Sequence, residues 1–166
     1  MILSPSGVET DVSEAENLIY NSMASGQGNV RSSFNDFFPD LPVGPIQPGY
    51  TWTTSDTLKD ANTSSVMVIK TENTFTGIEK VNGTDCAKIT SVLNGTRDMT
   101  TQSQGMDIHI SGPYTGTAEL YFATAEGYFL KHLVNTKLTG LIEISGAENM
   151  SLPVIMDIAS VNKVIE

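Results

Sequence analysis

Few side chains in this sequence have the types that run acid–base, nucleophilic or metal chemistry: two histidines, one cysteine and 19 carboxylates. Asp107 and His109 stand two apart in Met106-Asp107-Ile108-His109-Ile110, a run that alternates apolar and polar. Alternation of period two marks a strand, so both polar side chains fall on one side of it. A carboxylate beside an imidazole can orient a base or hold part of a metal shell. Two ligands do not make a site, and His132 joins them only if another strand brings it to the same face. The blander reading, a solvated strand face, carries more weight. Cys86 lies in the strand-like run Thr84-Asp85-Cys86-Ala87-Lys88-Ile89 and reads as a small, inert strand residue. A sole cysteine excludes an intramolecular disulfide and a thiolate cage. Nucleophile-elbow, zinc-protease, phosphate-loop and Ca²⁺-loop patterns are all missing. The expectation is a non-enzymatic protein without cofactor or metal.

The elements that would position any site are mostly strands. The 166 residues suit one domain, which can bury a core unaided. Hydrophobic residues make up 39% and charged residues 17%, with Thr, Ser and Asn filling the difference. That mix suits the wet faces and turns of sheets and is too apolar for a disordered chain. A net charge of -10 disfavours nucleic acid and anionic membrane surfaces as partners. No run approaches the roughly 18–20 apolar residues of a membrane-spanning helix, so no transmembrane segment is expected. The start, Met1-Ile2-Leu3-Ser4-Pro5-Ser6-Gly7, lacks a basic region and an apolar region and does not read as a signal peptide. The chain is then either cytoplasmic or begins after a removed export segment.

Residues 1–38 read as a helical N-terminal segment. Ser13 and Glu16 have capping-box spacing, and Ala15, Leu18, Ile19 and Met23 form one apolar stripe that Gly26 and Gly28 end. Phe34, Phe37 and Phe38 would share one side of a second short helix, as a core plug or as part of a greasy pocket. Residues 39–48 place a proline at every third position, a polyproline-like linker with overlapping Pro-x-x-Pro patterns. A stiff strut is the simpler account of it. Residues 49–166 then read as an antiparallel β-meander. Gly77 suggests a bulge or bend, and Asn82-Gly83 is a strong hairpin signal. Asn94-Gly95 fits either a turn or a bulge. Residues 100–105 look loop-like, Gly112-Pro113 looks like a turn, and Ala125-Glu126 joins strands over 114–124 and 127–137. Strands over 138–145 and 152–164 complete the set, with Pro153 favouring an edge. The predicted fold is α+β: one large curved antiparallel sheet, a partial barrel, under a small helical layer. Sequons at Asn62, Asn82, Asn94 and Asn149 read as incidental in so Asn/Ser/Thr-rich a chain.

What remains for function is apolar surface. Phe34, Phe37, Met67, Ile69, Phe75, Met106, Ile108, Ile110, Leu120 and Phe122 are candidates to line the concave face, with Leu141, Ile142 and Met156 beside them. Such a face is either packed core or a groove for a lipid, acyl chain or other apolar ligand.

Three stretches carry a family resemblance. They are the block from Gly112-Pro113-Tyr114 through Tyr121-Phe122 to Gly127-Tyr128-Phe129-Leu130, the passage from Phe38-Pro39-Asp40-Leu41-Pro42 to Gly49-Tyr50-Thr51-Trp52, and Gly77-Ile78-Glu79 leading to Gly83-Thr84-Asp85-Cys86-Ala87-Lys88-Ile89. These short, turn-dominated motifs, spread over most of 38–165, resemble uncharacterised bacterial envelope, lipoprotein-type proteins. Those in turn are similar to the LolA/LppX-type half-barrels that carry lipids or lipoproteins across the periplasm. The resemblance implies a periplasmic or secreted protein whose curved sheet wraps a helix over an apolar groove. It brings no catalytic residues, and the missing export signal departs from it. The alternative is a ligand-free interaction or structural module of the envelope.

Overall fold

Five successive hairpins turn residues 51–163 into one sheet. The computed structural model describes residues 2–3, 9–11, 19–22, 26–29, 40–60, 64–146 and 149–163. Strands β1 (Ile2–Leu3) and β2 (Glu9–Asp11) pair with each other, as do β3 (Ile19–Ser22) and β4 (Gly26–Asn29). The main sheet contains β5 (Thr51–Asp60), β6 (Ser65–Val81), β7 (Thr84–Ser103), β8 (Met106–Ala123), β9 (Tyr128–Ser145) and β10 (Met150–Lys163). They are antiparallel and lie in chain order, with β5 and β10 as its edges.

The predicted α+β class is thereby corrected to all-β, because the described residues contain no helix. Where a helix is predicted over 13–28, Ile19–Ser22 forms a hairpin with Gly26–Asn29. An apolar stripe of two turns is weak evidence for a helix, whose nucleation is costly. Ile19 and Tyr20 favour strand, and the Asn, Ser and Gly residues around them are poor helix formers. The second predicted helix, with Phe34, Phe37 and Phe38, lies outside the described residues.

The strands are longer than the sequence reading has them. Gln104 and Gly105 both take positive φ, as do Asn82 and Gly83, so both pairs make tight turns of the two-residue hairpin kind. β7 accordingly runs 20 residues, without a loop over 100–105 and straight through Asn94-Gly95. Gly112-Pro113 is no turn either; β8 passes through it. Proline lacks an N–H, and the β8–β9 ladder is interrupted between Ser111 and Tyr114, where none is needed. The two predicted strands over 127–145 are one, β9. Pro153 sits on the edge strand β10, as a residue that cannot donate to a ladder should.

Residues opposite one another in an antiparallel pair share a face, so the register traces each face across all six strands. The ladder does bulge at Gly77 (φ 141°): Phe75 pairs with Ile89 and Gly77 with Lys88, which leaves Thr76 as the extra residue. The extra residue reverses the parity beyond it. Met67, Ile69 and Phe75 stay on one face, while Val81 moves to the other.

Glycines set the curvature. A Cβ on Gly95 would overlap the Val68 carbonyl oxygen of β6, and one on Gly140 the Ser111 carbonyl oxygen of β8. Both would point to the face that holds Met67 and Ile69. A neighbouring backbone can occupy that space only if the sheet curls toward this face, which is therefore concave.

At the end carrying the Asn82-Gly83 turn, both faces have a core. On the concave side Ile89, Leu120 and Phe129 are buried, with Leu41, Trp52 and Phe122 packed on them. On the convex side Cys86, Tyr121, Ala123 and Leu130 are buried with Val81 and Leu133. The segment before β5 closes this end. Trp52 Nε1 donates to the Asp40 carbonyl at 2.8 Å, and Gly49 N–H donates to Phe75 O at 2.8 Å. Gly44 and Gly49 take positive φ, so the proline-rich segment is a bent strap and not a continuous polyproline helix.

Candidate ligand-binding face

Period-two alternation delivers the predicted apolar residues to a single surface. Met67, Ile69 and Phe75 of β6 and Met106, Ile108, Ile110, Leu120 and Phe122 of β8 all lie on the concave face, as do Ile142 of β9 and Met156 of β10. Leu141 does not; it is next to Ile142 in the strand and points to the convex side. Phe34 and Phe37 lie outside the described residues.

These residues are not equally available. Phe75 and Leu120 are buried at 7% and 1% exposure, and Phe122 stacks at a tilt on Phe129 with centroids 5.0 Å apart. They are core. Met67, Ile69, Ile108 and Ile110 are half-buried and Met106 is exposed. These five belong to the part of the face away from the Asn82-Gly83 end, joined there by Ile142, Ile144 and Leu152 across the register.

Polar groups interrupt this face, among them Asn73, His132, Asp56 and Arg97. Asn73 is wholly buried; its Oδ1 accepts from Ser91 Oγ at 2.6 Å, while its Nδ2 has no hydrogen-bond partner. His132 is opposite Leu120, and burial pushes its imidazole below the ordinary value, toward the neutral form. Asp56 is opposite Ile69; burial, and then the charge of Asp40, raise its carboxyl. Arg97 is opposite Met67 on one side and Gly112 on the other. Among the described residues its buried Nε has no hydrogen-bond partner, and its Nη2 reaches the Met99 sulfur at 3.5 Å. Arg97 was missed in the sequence, although it is in phase with Ile89, Leu93 and Met99. With Asn94-Gly95 open between a turn and a bulge, that phase is not fixed by the sequence.

The convex face holds most of the described ion pairs. Lys88 Nζ lies 3.2 Å from Glu79 and 3.7 Å from Glu119; the Glu79 hydrogen bond, then Tyr121, raise its ammonium pKa. Lys88 and Lys131 also flank the Tyr121 ring at 5.5 and 5.6 Å. His109 bridges three strands: Nδ1 is 3.0 Å from Glu143 and Nε2 is 3.1 Å from Asp98. Both carboxylates favour the imidazolium, Glu143 the more strongly, so its pKa is raised.

Asp107 takes no part in that bridge; it accepts from Gln102 Nε2 at 2.6 Å. His132 lies on the opposite face. The conceivable trio Asp107, His109 and His132 is therefore not brought together, and among the described residues no three His, Cys, Asp or Glu side chains gather to hold a metal. Cys86 is fully buried, and burial is the largest cause of its raised thiol pKa, which makes it a poor nucleophile. A cavity of about 330 Å³ opens at β8, β9 and β10, where Lys137 and Asp157 stand 3.9 Å apart. It is wide and mixed in polarity, and contains none of the apolar candidates.

Among the described residues no helix is long and apolar enough to cross a membrane. No protein-family model, curated protein or solved structure matches this chain.

Proposed function

We propose that this protein binds the acyl part of a lipid, or a similar apolar ligand, on the concave face of its sheet and catalyses no reaction. The observation that carries the reading is the half-open apolar surface formed by Met67, Ile69, Ile108 and Ile110, on a face that the sheet curls around. Apolar side chains lining a concavity are the usual setting for an apolar ligand. Export to the cell envelope belongs to the same proposal, because the half-barrels that the chain resembles work there.

Native mass spectrometry of gently purified full-length protein, followed by lipid extraction, tests the reading. A stoichiometric lipid that is lost in an Ile108→Ser/Ile110→Ser variant supports it. Protein that stays empty even after incubation with lipid ends it.

A second reading, a ligand-free interaction module, is favoured by one observation. Edge strand β10 exposes Leu152, Ile155, Ile158 and Val161 beside a row of backbone groups that no further strand among the described residues pairs. Such an edge invites strand addition by a partner. Light scattering across a concentration series would reveal self-association through it, and a monomer at all concentrations removes the chain's own copies as that partner.

A further inference from the structure

The register places most of the lysines of the sheet on one face. Lys59, Lys70, Lys88, Lys131, Lys137 and Lys163 all fall on the convex face by register. On the concave face, Lys80 stands beside the Asn82-Gly83 turn and pairs with Asp85 at 2.7 Å. Arg97 is the other concave cation, and among the described residues it pairs with no carboxylate. Among the described residues its Nε, sealed from solvent, has no acceptor, and its Nη2 reaches a thioether, a weak acceptor. Arg97 is half-buried, so its guanidinium gives up part of its hydration for a weak thioether contact. The chain carries ten more negative than positive charges, yet none of its described carboxylates meets this cation.

We infer that the apolar ligand is a long-chain monocarboxylate and that Arg97 binds its head group. The inference rests on the concave-face reading above and adds the ligand's charge to it. The planar fork of a guanidinium matches one carboxylate in a two-pronged hydrogen-bonded pair. A single arginine supplies one positive charge, which suits a monoanion; a phosphate dianion would call for a second cation, and the open part of the face has none among the described residues. Charge complementarity therefore selects the head group, while Met67, Ile69, Ile108 and Ile110 select only for an apolar tail.

The test uses full-length, delipidated protein and calorimetric titration at pH 8 with dodecanoate, dodecan-1-ol and dodecyl phosphate, all below micellar concentrations. Wild type should bind dodecanoate at least tenfold more tightly than the alcohol. Arg97→Gln should bring the two within threefold, Arg97→Lys should keep part of the preference, and the ligand-free Arg97→Gln protein should melt no lower than wild type. Equal binding of acid and alcohol by wild type overturns the role of Arg97 and leaves the concave-face reading standing. Failure of all three ligands to bind overturns that reading itself. Dodecyl phosphate binding tenfold more tightly than dodecanoate overturns the choice of carboxylate. A clear drop in the melting temperature of ligand-free Arg97→Gln makes Arg97 a structural residue and overturns the inference as well.

Discussion

Strands β7, β8 and β9 pass through two environments along their length. Near the Asn82-Gly83 turn both faces are packed, by Ile89, Leu120 and Phe129 on one side and Cys86, Tyr121, Ala123 and Leu130 on the other. Toward the Gln104-Gly105 turn the same strands carry Arg97, Ile108, Ile110 and Ile142 on a face that is half-buried. Hydrophobicity alone does not separate the ends, since both are rich in apolar residues. What separates them is cover: the strap around Leu41 and Trp52 sits on the first end. A packed end gives the sheet a rigid anchor, and a less covered end keeps apolar area in reach of a ligand.

Substitutions that treat the ends alike should have unlike effects. Leu120→Ala, at the packed end, should cost about 2–5 kcal/mol in chemical denaturation, the usual range for an emptied core site. A cost below about 1 kcal/mol would mean that this end is not the anchor. Between the two regions, Gly140→Ala should cost about 1–3 kcal/mol, because the added methyl meets the Ser111 carbonyl and must flatten the sheet. It should also weaken lipid uptake, and unchanged uptake would disconnect curvature from binding. At the open end, Ile108→Ser/Ile110→Ser should lower stability by less than Leu120→Ala does while abolishing lipid recovery; the reverse order would dissolve the contrast between the ends.

The smallest effect expected is electrostatic. The His109 pKa is raised in the folded state, so protonation favours folding. Its stabilisation is complete below the unfolded value near pH 6.5 and disappears as pH rises through the raised folded value. Asp98 and Glu143 form the bridge, and Asp107 faces the same side without contacting the ring in a hydrogen bond. The bridge is partly solvated, so its worth should stay under about 1 kcal/mol. Melting curves of wild type and His109→Gln across pH 5.5–8.5 should converge at the alkaline end; a constant offset would show that the bridge does not titrate.

Much of this comparison is readable residue by residue. Alternation puts Met67, Ile69, Met106, Ile108 and Ile110 in one phase, and Gly77 and Asn82-Gly83 mark a bulge and a turn by their own backbone needs. The errors also have local causes. Leu141 and Ile142 are consecutive, so parity forbids them a common face. Gly112-Pro113 looked like a turn because proline disrupts ladders, yet a ladder with a local gap accommodates it. The stripe from Ala15 to Met23 imitated a helix over too short a span, where Ile19–Ser22 is a strand.

By itself, then, the sequence determined the β character of 51–163, its Asn82-Gly83 turn and the phase of most of its apolar residues, because these depend on neighbours within a few positions. Only the tertiary structure decided which side chains lie side by side. It gave His109 two carboxylates from β7 and β9 while sending His132 to the other face, and it left Arg97 on the concave surface with no counter-charge among the described residues. It also decided which part of that surface is filled. Cover and pairing depend on contacts between residues far apart in the chain, and periodicity carries no information about them.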